Sequence, residues 1–230
     1  MKNIALVTTY FDYPDHAVPC FYNNALKYFN ASDIHIIRNG IPETSLESLY
    51  AKLYYYKIVK NIEYYKAHLH GKYEYILFAD AKDTNFYRTP IDIIDIFKTF
   101  DCSIVFGGER GFWPPIAEKH LYDLKEKKSE SFYLNSGLYF GYTDKIIEHM
   151  ESIIHHNRTV YDDQGHWTIE YLVSNDIKVD QESKMFFSTL ETSSEITING
   201  DNKYIINSNP IMVHDNGPYG DTTLKIAHLL

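Results

Sequence analysis

The chain has 230 residues, 44% of them apolar and 23% charged, with a formal net charge of −9. That length and apolar share suit one domain with a substantial core, expected to run over residues 1–230. The acid excess, without any run of Lys or Arg, excludes a nucleic-acid surface. Two cysteines exclude a disulfide framework or a cysteine metal cluster. No apolar stretch reaches the roughly 18 residues of a membrane helix. The amino terminus, Met1 to Thr9, enters a strand directly and lacks the cleavage pattern of a signal peptide, so a cytoplasmic chain is expected.

In chain order, Ile4 to Thr8 reads as a short buried strand and Ala17 to Phe29 as a helix. Ile34 to Ile37 is a second strand, and Leu46 to Leu69 carries apolar and aromatic residues at helical spacing. Tyr75 to Ala79 is a third strand. Pro90 to Phe97 predicts a helix with Thr89 as cap and Pro90 in its first turn. Asp101 to Phe106 is a fourth strand. Strands alternating with helices in this way predict an α/β fold, a mostly parallel sheet flanked by helices. Farther on, Leu138 to Tyr142 and Ile211 to Val213 read as strands, Asp144 to His156 and Asp162 to Leu172 as helices, and Thr222 to Leu230 as a helical tail. Most of the 21 tyrosines are expected in the core.

The third strand ends on Asp80 and Asp83. Like charges so close repel and need compensation, for which a hard divalent cation with oxygen ligands is well suited. Strand-end aspartates also serve turns and helix caps. Glu109 to Pro115 forms an aromatic, Pro-rich loop in which Trp113 is either a rigid turn or a stacking wall. Asn135-Ser136-Gly137 is a turn or an amide holding hydroxyls, and Asp162-Asp163-Gln164 caps a helix or faces a cleft. His214 closes the last strand before a turn at Asn216-Gly217-Pro218, and a neutral His can complete a Mn2+ shell.

Taken together and in order, FADAKD (78–83), GGERGFWP (107–114), FYLNSG (132–137), DDQ (162–164), VDQESKMFFSTL (179–190) and HDNGP (214–218) resemble the glycosyltransferase domain of procollagen lysyl hydroxylases. The resemblance spans Thr9 to Pro218. It implies a single GT-A type, Rossmann-like domain that transfers a sugar from a UDP-sugar, UDP-glucose above all, with Mn2+. The implied acceptor is the galactosyl-hydroxylysine of collagen or a collagen-like protein; the oligomeric state stays open. By position, Asp80, Asp83 and His214 would bind the metal. Thr9, Asp80, Asn216, Gly217 and Lys57 would hold the nucleotide, and Trp113, Asp162, Asp163, Asn135 and Glu109 would form the catalytic pocket. Lys82 stands where the family commonly has an aromatic, Asp215 where it has Gly, and Tyr219-Gly220 where a Lys follows Gly-Pro. A transferase with another acceptor, or a non-catalytic nucleotide-sugar binding module, are the alternatives.

Overall fold

Strands buried along nearly their whole length build the centre of the structure, a computed structural model that describes residues 3–11, 17–39, 57–156, 162–190, 196–198 and 204–216. Strand β1 is Ile4–Phe11, β2 Ile34–Asn39 and β3 Tyr75–Ala79. Strand β4 is Thr84–Phe86, β5 Ile104–Glu109, β6 Tyr133–Tyr142, β7 Ile177–Asp180, β8 Phe186–Ser188, β9 Ile196–Ile198, β10 Tyr204–Ile206 and β11 Met212–His214. The helices are α1 Ala17–Ala25, α2 over 57–64, α3 Ile93–Lys98, α4 Thr143–His156 and α5 Asp163–Val173.

Six strands form one sheet in the order β2-β1-β3-β6-β5-β7. All run parallel except β6, which is antiparallel to both β3 and β5. The expected mostly parallel sheet is therefore present, with one reversed strand at its middle. Side chains alternate across a strand, and both faces of this sheet are buried. Ala5, Val7, Ile76, Phe78 and Phe106 pack on one face against Ile58 and Ile62 of α2, Ile146 and Met150 of α4, and Trp167 of α5. Ile4, Leu6, Tyr75, Leu77 and Val105 face the other side, against Phe21 of α1 and Ile93 and Phe97 of α3. Among the described residues five tyrosines, Tyr65, Tyr75, Tyr122, Tyr139 and Tyr171, are buried, fewer than expected; Phe78 stacks on Tyr139 at 4.7 Å, and the Tyr139 hydroxyl meets that of Tyr65 at 2.9 Å.

A second sheet, β4-β11-β8, abuts the first. Its strands are three residues long and show no period a sequence reading can detect. Asp180, fully buried, joins the two sheets. Its carboxylate accepts from the backbone N–H groups of Lys184 (3.0 Å), Met185 (2.7 Å) and Phe186 (2.9 Å), which shapes the turn from β7 into β8. Burial raises its pKa against those three donors.

Three local expectations are corrected. Helix α1 stops at Ala25 rather than Phe29, because Lys27 and Tyr28 tighten into bonds to Asn24 and Ala25, three residues back. Helix α3 begins at Ile93, so Thr89 and Pro90 lie outside it. Asp92 occupies the cap position, but its carboxylate is taken by Arg88 at 2.6 Å. The expected helix over 46–69 is seen from residue 57; α2 passes at Tyr65 into a wider π-helical turn that ends at Leu69. Residues 46–56 and the tail from Thr222 lie outside the described residues.

Candidate active site and metal centre

The parallel strands deliver their carboxyl ends to one side of the sheet, the side where open α/β sheets bind ligands. Asp80 follows β3, Glu109 ends β5, and the first half of the reversed β6 returns to the same place. There β6 departs from its neighbour: Phe106 pairs with Tyr139, yet the next residue, Gly107, pairs with Asn135. Ser136, Gly137 and Leu138 thus leave the β5 ladder in a bulge. Such irregularities re-aim side chains, and here the bulge turns Asn135, Ser136 and Gly137 into a cavity of about 560 Å³.

The turn from Asp80 to Asp83 carries the chain from the large sheet into β4. Because β11 pairs with β4 so that His214 lies opposite Thr84, the imidazole comes to rest beside Asp83. One donor atom each from Asp80, Asp83 and His214 lies within 4.8 Å of the others. His214 Nε2 stands 3.3 Å from Asp83 Oδ1, and that oxygen, shielded from solvent, has no hydrogen-bond partner. An orphaned buried carboxylate oxygen next to a second acid and an imidazole is a donor set suited to a hard divalent cation. Gly137 makes room for the ring: a Cβ there would lie 2.2 Å from His214 Cε1. Burial, the largest single influence, lowers the His214 pKa, but Asp83, Asp80 and Glu109 together outweigh it and the value is raised. The field that draws a proton to this ring also favours a metal ion.

Opposite the acids, Lys57 of α2 reaches Asp80 at 2.9 Å and Asp163 at 2.8 Å. Burial opposes its charge, yet Asp163 and Asp80 hold its pKa well above the usual lysine value. Helix α5 opens at the cavity. Asp162 is its N-cap, accepting from Gly165 N at 2.7 Å, and its other oxygen accepts from Trp113 Nε1 at 3.1 Å. Burial, then the Asp163 charge, pushes the Asp162 pKa up to about 6. Trp113 remains 62% exposed and offers a free ring face at the rim. Glu109 is the buried hub of the floor. It accepts from Asn135 Nδ2 (3.0 Å), Gln164 Nε2 (2.7 Å) and Asn216 Nδ2, while burial pushes its pKa up to about 7.

Thus Lys57, Asp80, Asp83, Glu109, Trp113, Asn135, Asp162, Asp163, His214 and Asn216 all line one cavity. Thr9 does not. It follows the buried part of β1, Ile4 to Thr8, with its hydroxyl donating to Asn61. Gly217 lies outside the described residues. Ser136, Gly137, Gln164 and Leu190 also line the cavity; the first three stand within motifs read from the sequence but were given no role of their own. For Gly137 a signal existed, since a Gly inside a strand marks a bulge or a close approach. Gln164 stands in the first turn of a helix already assigned to the cleft. Leu190 carries no signal of its own.

The profile of the PLOD GT domain family matches residues 56–227. The chain belongs to the PLOD GT domain family. It is a glycosyltransferase domain of that type, and the motif resemblance is borne out. A relative, Uncharacterized protein R699 of Acanthamoeba polyphaga mimivirus, is 28% identical over 124 residues, 53% of this chain. The matched stretch spans only 26% of that relative's length. Among solved structures, a glycosyltransferase involved in the glycosylation of the major capsid of PBCV-1 superposes with a TM-score of 0.56 at 11% identity. That superposition covers 97% of this chain and 98% of the other, so the two share a fold. Among the described residues no helix is long and apolar enough to cross a membrane.

Proposed function

We propose that residues 1–230 act as one Mn2+-dependent transferase that moves glucose from UDP-glucose to the galactosyl-hydroxylysine of a collagen-like acceptor. The observation that carries the reading is the Asp80, Asp83 and His214 donor cluster at the wall of a cavity whose other walls are an acid pair, an indole and three amides. Asp80, Asp83 and His214 would hold the ion, which when bound supplies Lewis-acid stabilisation of the departing diphosphate.

The chain's own residues divide the remaining tasks. Lys57 adds positive charge beside Asp80, on the side where a diphosphate would gather negative charge. Asp162 and Asp163 place carboxylates near the sugar, where an anomeric carbon turning cation-like is stabilised by negative charge. Ser136 Oγ donates to Asp163 at 3.3 Å, so that carboxylate is held by Lys57 and Ser136 together. With transfer that retains configuration, no external base is required; an inverting route would take Asp163 as base. The exposed Trp113 ring, tethered to Asp162, supplies a stacking wall for a sugar ring. Asn135, Gln164 and Asn216 offer amides for hydroxyl recognition, with Glu109 fixing how each is turned.

The test is UDP release with Mn2+, comparing UDP-glucose and UDP-galactose, with and without a galactosyl-hydroxylysine collagen peptide. Release from UDP-glucose stimulated by the peptide, and abolished in Asp83→Ala, is the expected result. Release without stimulation would reassign the acceptor. No release from either donor would leave a nucleotide-sugar binding module.

A further inference from the structure

The amides around Glu109 have a consequence for the metal centre that lies beyond the ligands themselves. An Asn side chain can be turned either way in principle, and its orientation must be settled by its partners. Asn135 has a partner that settles it. The backbone N–H of Gly137 can only donate, and it meets Asn135 at 3.0 Å, so the atom it meets is the amide oxygen. The Asn135 Nδ2 group then faces Glu109 Oε2 at 3.0 Å, where a carboxylate oxygen accepts. The same rule fixes Gln164: the Ser136 N–H meets its Oε1 at 3.1 Å, so its Nε2 points to Glu109 Oε1 and to the Trp113 carbonyl. Two side-chain amides are thus oriented by backbone donors of the β6 bulge, and both present N–H to Glu109.

The Asn135 oxygen so fixed lies 2.7 Å from His214 Nδ1. An amide oxygen carries no proton, so the proton on this contact belongs to the ring. Ring nitrogens are distinct, and the hydrogen bond at one decides what the other offers. We propose that Asn135, clamped between Glu109 and the Gly137 backbone, is a positioning residue that fixes His214 in the Nδ1–H tautomer and presents a bare Nε2 to the acid pair Asp80 and Asp83. Metal-binding histidines commonly take their orientation from such an outer partner, whose loss lowers metal affinity about 10–100-fold. The backbone contacts also explain why the bulge lies here: without it neither Ser136 N nor Gly137 N would reach a side-chain amide.

The inference rests on the metal reading above, but its experiment separates the two. In metal-free, 15N-labelled protein, taken to a pH at which the same spectra show the His214 ring to be neutral, two-bond 1H–15N correlations identify which His214 nitrogen bears the proton. The expected pattern is a proton on Nδ1 and a bare Nε2. A proton on Nε2 overturns the proposal. The variant Asn135→Leu removes the acceptor; it is expected to mix or reverse the tautomer and to weaken Mn2+ binding in calorimetry about 10–100-fold. Unchanged tautomer and unchanged affinity in a folded Asn135→Leu overturn it as well. Should that variant not fold, the wild-type ring still decides. A wild-type ring of the expected form in a chain that binds no Mn2+ would sink the metal centre and leave this assignment standing.

Discussion

Single side chains at this site do two jobs at once, and Asp162 is the clearest case. It caps α5 and holds the Trp113 indole, yet burial and the adjacent Asp163 keep its pKa at about 6, above the ordinary carboxylate range. The sign follows from linkage. A raised pKa in the folded state means that the native protein binds the proton more tightly. The stability this group contributes is complete below its unfolded value and is lost as pH rises through about 6. Asn at this position keeps its one oxygen for Gly165 N and gives up the indole contact at the exposed rim, and Asn caps helices as well as Asp does. Asp162→Asn should therefore remain folded and lose less stability than wild type between about pH 4 and pH 7. Urea melts at four pH values in chelator read this directly. The raised Glu109 titrates in both proteins and cancels in the difference. Parallel curves would show that Asp162 is not the strained acid described.

At the scale of elements, α2 and α5 meet the sheet from one side and are tied across the cavity by Lys57. Its ammonium is nearly enclosed, with a side chain 8% exposed, and also lies 4.9 Å from the Phe78 ring centre. Removing one member of a buried ion pair strands the others. Lys57→Met should cost about 3 kcal/mol, the lower end of the usual range, because Asp80 keeps some contact with solvent. The double variant Lys57→Met/Asp163→Asn should recover part of that loss in urea unfolding; strict additivity would dismiss the coupling. Elements also explain what the sequence revealed. Strands β1, β3 and β5 were legible as short apolar runs, helix α4 from apolar residues at helical spacing, and α5 from the acids that lead it. Asp80, Asp83, Glu109, Trp113 and Asp162 were legible because each sits where such an element ends. The pairing of β4 with β11 was not, since three-residue strands carry no period, and that pairing is what brings His214 to Asp83. Nor was the β6 bulge: Asn135-Ser136-Gly137 reads as a turn locally, and only its register against β5 shows a strand bent into the site.

For the molecule as a whole, Asp80 leaves the large sheet, while Asp83 leads into β4 and His214 ends β11 of the small one, so a bound cation would staple two sheets that otherwise meet through short strands and Asp180. The chain also carries a net charge of −9, part of it concentrated in the cavity walls, so a cation relieves repulsion as well. Binding of this kind stabilises by mass action. At a free concentration of about 100 times Kd, the gain is about 2.7 kcal/mol. For a domain of this size each kcal/mol moves Tm by about 2–4 °C. Mn2+ should accordingly raise Tm by about 5–11 °C at that concentration. A chelator should return it to the starting value. UDP added with Mn2+ should raise Tm further, while UDP in chelator should do little, because the proposed site holds the diphosphate through the ion. Asp83→Ala should show none of the Mn2+ response while keeping a cooperative melt. If wild type and Asp83→Ala respond alike, the cation binds elsewhere and the cluster at the junction of the two sheets is not the metal centre.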